Sequence, residues 1–279
     1  MTYGAVGGYG TSHARMKAML RSLKDLEGYS VRATDGDVGS VSNFLVDDER
    51  WAVRYLVVEA EPGRQVLISP ISFQRVDWGT HHFDVALTMD KVKKSPDVDA
   101  SKPVSRQHEL DFSEYYGFPY YWGAAGAWGM GAYPGVLAGG AWSARQPNPS
   151  ERAPGDVHLR SVRELRGYHI QGTDDKIGHV DDFIVDDETW EIRYLAIDTS
   201  NWWLGKKVLL APGWADRVSW LERMIYVNVS RQFIKGSPEW DATPAGLNRK
   251  YEKRLYDYYA RPFYWESLPR RPTAATHLL

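Results

Sequence analysis

The chain has 279 residues, a net charge of -2, 43% hydrophobic and 25% charged residues, and no cysteine. Such a length and composition fit two small folded domains and a connecting segment. They exclude disulfides, thiolate metal sites and a cysteine nucleophile, and they disfavour a broad phosphate-binding face, which needs a basic excess.

Residues 1–18 lack the basic start and apolar core of a secretory signal and read as a flexible N-terminus. A first β domain is expected over 19–100. Leu20 to Leu26 has short helical spacing and leads as a turn or single helical turn into Gly28. Val41 to Val46 reads as a strand, Asp47-Asp48-Glu49-Arg50 as a polar turn, and Trp51 to Glu59 as the strongest strand, apolar on both faces. Val66 to Ile68 is a further strand. Gly79 divides Phe73–Trp78 from Phe83–Met89 as a hairpin, and a short polar helix follows until Pro96. Residues 101–122 form an aromatic tail with helical spacing from His108 to Tyr116. Residues 123–157, rich in Gly and Pro, show no period and read as a linker.

The second half repeats the first. Residues 159–198 align with 20–59 without a gap, and about half of the aligned positions are identical, among them Arg21/Arg160, Gly39/Gly178, Trp51/Trp190, Arg54/Arg193 and Tyr55/Tyr194. A short insertion around 201–205 follows, after which the match resumes and runs to Ser95-Pro96 against Ser237-Pro238. A second β domain is therefore expected over 158–242 and a second aromatic helical tail over 243–279. Tyr115-Tyr116-Gly-Phe-Pro119-Tyr-Tyr-Trp122 parallels Tyr258-Tyr259-Ala-Arg-Pro262-Phe-Tyr-Trp265. Both tail helices should stop before their prolines.

A Gly, a strand ending in Val-Asp-Asp, a polar turn and an apolar Tyr-Leu strand occur from Gly39 to Val58 and again from Gly178 to Ile197. This pattern resembles the PRC-barrel family, which includes the cytoplasmic part of the photosynthetic reaction-centre H subunit and the C-terminal domain of the ribosome maturation factor RimM. The better match is the bacterial proteins with two tandem PRC-barrel domains. The resemblance implies a mainly β fold: two tandem small β-barrels, each followed by an aromatic-rich helical tail, working by contact with other proteins. The H subunit has a membrane helix at its N-terminus where this chain has a glycine-rich polar start, and RimM has an unlike first barrel, so neither specific role carries over.

The acidic runs Asp47-Asp48-Glu49 and Asp186-Asp187-Glu188 read as turns rather than cation sites, since the calcium-loop spacing is absent. Arg54 and Arg193, inside apolar strands, should each pair with a carboxylate of their own unit. His81-His82 is not preserved in the repeat and reads as an exposed hairpin tip. No catalytic motif is recognisable, so the chain reads as non-enzymatic, with no metal site and no cofactor. The tail aromatics Tyr115, Tyr116, Tyr121, Trp122, Tyr258, Tyr259, Tyr264 and Trp265 form the candidate interaction surface, because such apolar stretches need cover, either their own barrel or a partner. The first functional expectation is a cytoplasmic binding or scaffolding protein, with a protein partner or a homodimer. The second is a peripheral membrane protein of an electron-transport complex, touching the membrane surface without a transmembrane segment. The third, RNA or ribosome-related binding, is disfavoured by the near-neutral charge.

Overall fold

The computed structural model describes residues 19–96, 98, 104–122, 127–129, 133–135, 157–199, 206–243 and 247–267. The expected flexible N-terminus, 1–18, and most of the expected linker lie outside these. The first half contains β1 (Leu20–Ser22), a helical turn Leu23–Leu26, β2 (Ser30–Ala33), β3 (Gly36–Asp47), β4 (Ala52–Glu61) and β5 (Arg64–Ile68). A 3-10 turn Pro70–Ser72, β6 (Phe73–Asp77), β7 (His82–Val85), a helix Met89–Lys93, β8 (Val104–Ser105) and the first tail helix Arg106–Tyr116 follow. The second half runs through β9 (Val157–Ser161), a helical turn Val162–Leu165, β10 (His169–Gln171), β11 (Lys176–Asp186), β12 (Ile192–Asp198) and β13 (Lys207–Leu210). It ends with a 3-10 turn Pro212–Trp214, β14 (Ala215–Ser219), β15 (Met224–Val227), a helix Arg231–Gly236, the second tail helix Arg249–Tyr259 and a final turn Tyr264–Ser267.

Local chemistry sets these elements. Ser22 and Ser161 begin the two helical turns, each side chain accepting a hydrogen bond from the backbone three residues on. Gly39 and Gly178 let β3 and β11 pass close to their neighbours. A Cβ would lie 1.9 Å from the Glu59 carbonyl oxygen at the first and 2.2 Å from that of Asp198 at the second. β4 is buried on both faces over Ala52–Val58, as its unbroken apolar run requires.

The strand order is the same in both halves: β5-β4-β3-β2-β7-β6 in one sheet and β13-β12-β11-β10-β15-β14 in the other. Neither sheet closes into the barrel expected from the sequence. The two edge strands of each sheet are joined through a 3-10 turn that starts at Pro70 or Pro212. Proline has no N–H to donate, and the turn carries the chain out of the ladder.

The halves also exchange strands. β1 of the first half pairs antiparallel with β11 of the second, with Arg21 opposite Val185. β9 of the second half pairs antiparallel with β3 of the first, with Arg160 opposite Val46. The registers are equivalent, so the molecule has an internal pseudo-two-fold relation. At its centre Val53 N–H donates to the Trp190 carbonyl (2.8 Å) and Ile192 N–H to the Trp51 carbonyl (2.7 Å). Both tryptophans are left-handed, with φ of 52° and 56°, a conformation uncommon for such side chains. Crossed ion pairs flank this centre. Arg21 reaches Asp187 (3.2 Å) and Arg160 reaches Asp48 (3.1 Å). Each arginine also lies over a tryptophan of its own half, Trp78 at 4.1 Å and Trp220 at 4.4 Å. Buried apolar residues of the two halves form one continuous cluster.

Candidate functional site

In each half an aspartate at the end of one long strand faces an arginine in the next. Asp47 does two things. Its Oδ1 accepts from the backbone N–H of Glu49 and Arg50, both at 3.0 Å, closing the acidic turn. Its Oδ2 accepts from Arg54 Nε (3.1 Å) and Nη2 (2.7 Å). The pair is buried, the side chains being 3% and 1% exposed. Burial opposes the charged carboxylate, but the Arg54 charge and the hydrogen bonds from Arg50, Arg54 and Glu49 outweigh it and hold Asp47 below the ordinary carboxylate range. The repeated acidic runs are thus turns with diverging carboxylates, since Asp48 points to Arg160 of the other half.

The tails complete both sites. From the first tail, the Tyr121 ring lies 3.6 Å from the Arg54 guanidinium and its hydroxyl donates to Glu109, which is fully buried. From the second, the Tyr264 ring lies 4.4 Å from the Arg193 guanidinium. The hydroxyls of Tyr264 and Tyr194 both donate to Glu252, at 3.0 and 2.8 Å. Burial, and then the charge of Glu252, raises Tyr194 and Tyr264 far above the ordinary tyrosine range. Burial likewise pushes Tyr116, Tyr256 and Tyr259 up to about 12. These hydroxyls remain protonated at neutral pH.

The eight tail aromatics are therefore folded onto their own halves. Tyr116, Tyr121 and Tyr259 are buried, and the other five are half-buried. Tyr115 donates to the Lys91 carbonyl (2.7 Å) and Tyr258 to the Phe233 carbonyl (2.6 Å). Trp265 lies beneath Arg249, 4.1 Å away. The structure brings Tyr121 to Arg54 and Tyr264 to Arg193, while Tyr115 and Tyr258 face the short helices that precede the tails.

Sequence reasoning missed four participants. Glu109 and Glu252 hold the same place in the two tails, and that recurrence was a usable signal. Trp128, inside the segment read as a linker, is 1% exposed; its Nε1 donates to the Thr189 carbonyl (2.6 Å) and its ring lies 4.8 Å from the Arg54 guanidinium. Trp190, 2% exposed, packs on Phe73 and Phe83 with centroids 5.1 and 6.0 Å away. The hairpin-tip expectation also needs correcting. His81 is exposed and stacks on Tyr29 (4.7 Å), but His82 is buried and bonded to Thr80 and Arg32.

The second site differs in being open. A cleft of about 550 Å³ lies at the junction of the halves, walled by Arg50, Trp51, Arg193, Trp214, Tyr256 and Tyr264. Arg193 is ion-paired with Glu191 and, at 3.6 Å, with Asp186, yet its buried Nε has no hydrogen-bond partner. Among the described residues no helix is long and apolar enough to cross a membrane. No curated protein matches the chain. Residues 158–233, which hold all six strands from β10 to β15, match the family model of the PRC-barrel domain.

Proposed function

We propose that this chain is a non-enzymatic binding or scaffolding protein of the bacterial cytoplasm, built from two PRC-barrel-related halves and acting by contact with another protein. The observation that carries this reading is the cleft at the junction. Four aromatic and five charged residues line it, three of the charged ones arginines, and Trp, Tyr and Arg are the residue types that dominate recognition sites. The strand exchange supports it by holding both walls in a single frame. Trp51 comes from the first half, and Trp214, Tyr256 and Tyr264 come from the second. The half-buried tail aromatic Trp265 packs beside the cleft residues Tyr256 and Tyr264, with ring centroids 5.4 and 5.0 Å away. The test is capture of partners from native lysate by tagged full-length protein, compared with Trp214→Ser and Trp265→Ser variants. A protein retained by the wild type and lost from the variants supports the reading. Recovery no greater than with an unrelated tagged protein rejects it.

A further inference from the structure

The two arginine sites are built from equivalent positions, and in the first half the place over the arginine is taken. Ala127-Trp128-Gly129 runs across it. Arg54 Nη1 donates to the Ala127 carbonyl, Trp128 Nε1 to the Thr189 carbonyl, and the indole is buried against Tyr121, centroids 6.2 Å apart. Gly129 lies so close to Tyr121 that a Cβ would be 3.1 Å from that residue's carbonyl oxygen. A tryptophan between small residues therefore fits this site by shape as well as by hydrogen bonding.

The second half presents the same features without such a segment among the described residues. Arg193 stands for Arg54, Tyr264 for Tyr121, and the Arg50 carbonyl for that of Thr189. Ile71, buried in the first half, is matched by Gly213 in the cleft wall. The result is the cleft, with Arg193 in its wall. A guanidinium carries five N–H donors, so Arg193 can bond an arriving carbonyl beside its contacts with Glu191, Thr189 and Asp186.

We infer that this cleft is the docking site for a partner protein's extended segment carrying a tryptophan flanked by Gly or Ala. The indole fills the space beside Trp214 and Tyr264, its N–H bonding the Arg50 carbonyl, while a carbonyl of the segment accepts from Arg193. The inference rests on the binding function proposed above and names its ligand.

The probe is a synthetic peptide, Ala-Ala-Gly-Ala-Trp-Gly, the sequence of residues 124–129. It is titrated into the full-length protein by calorimetry, with binding mapped by NMR. The peptide should bind one to one and shift the signals of Trp214 and Tyr264. A counterpart with Ala in place of Trp should bind at least roughly tenfold more weakly, as loss of a buried aromatic anchor implies. Gly213→Ile should weaken binding without unfolding the protein, because a Cβ at Gly213 meets nothing within 4 Å. Equal binding of the two peptides, no binding to the wild type, or shifts that avoid the cleft would overturn the proposal. So would binding confined to a Trp142→Ala variant, since the chain's own Gly-Gly-Ala-Trp142 would then be the occupant. If lysate capture succeeds while the peptide fails, only the ligand assignment falls. If both fail, the binding function falls with it.

Discussion

At Arg54 the first half buries its arginine beneath Tyr121 and Trp128; at Arg193 the second half leaves the equivalent arginine at the wall of a cleft. The two sites share strand order, acidic turn and tail tyrosine. They differ in side-chain bulk on the sheet and in what lies over the guanidinium. One ion pair is consequently dry and bonded twice at 2.7 and 3.1 Å, and the other is 3.6 Å long with a second acid, Glu191, drawn in. The comparison teaches that the framework of a repeat can be kept while its cover decides whether a site serves stability or recognition.

The largest effect should come from breaking the dry pair. Arg54→Met strands the Asp47 carboxylate in a buried site and should cost about 3–5 kcal/mol, whereas Arg193→Met should cost clearly less. Urea unfolding of the two variants measures the difference, and equal losses would erase the distinction between the halves. Next is the cover itself. Trp128→Ala should cost about 3 kcal/mol and make the first site resemble the second, seen as quenchable tyrosine fluorescence where the wild type is protected.

Gly39→Ala should cost about 2 kcal/mol, since the new Cβ overlaps the Glu59 carbonyl at a backbone φ of 150°. Gly178→Ala should behave alike if the close strand approach is shared, and thermal unfolding of both variants compares the halves directly.

The smallest effect concerns the caps across the centre. In the first half Asn43 accepts from Arg163 N–H (3.2 Å) and donates to Ser161 (2.8 Å). Its counterpart Asp182 accepts from Lys24 N–H (3.1 Å) and from Ser22. Burial raises Asp182 above the ordinary carboxylate range. A raised folded value means that the folded state holds its proton more tightly, so this group favours folding in acid and loses that contribution as pH rises through the raised value. Asp47 has the opposite sign: its contribution is present above the ordinary range and is lost as pH falls through its lowered value. Asp182→Asn should stay within about 1 kcal/mol of wild type at neutral pH and should remove the decline on the alkaline side of the carboxylate range. Denaturant unfolding across pH checks it, and an unchanged pH profile would assign that decline to other groups.

Much of each half was readable. The long β3 and β4 strands, the Gly79 hairpin and the tail helices ending before Pro119 and Pro262 follow from local periodicity and breakers. The partner of Arg54 follows from the cost of a lone buried charge. The exchange of β1 and β9 was not readable. Three or five residues carry too little period to mark a strand, and nothing in Leu20-Arg21-Ser22 says which of two near-identical sheets it joins. Trp128 was hidden for a related reason. Its neighbours are small and flexible by composition, and its burial depends on the distant Arg54, Tyr121 and Thr189.

The exchanged strands also order events in time. While the chain is being synthesised, the first sheet can form β2 to β7, but β3 lacks its third partner, β9, until Ser161 has emerged. β1 must wait for β11, more than 150 residues later. Neither half can finish before the other has begun. Loops of that length close slowly, so the pairing of β1 with β11 belongs among the late steps of folding.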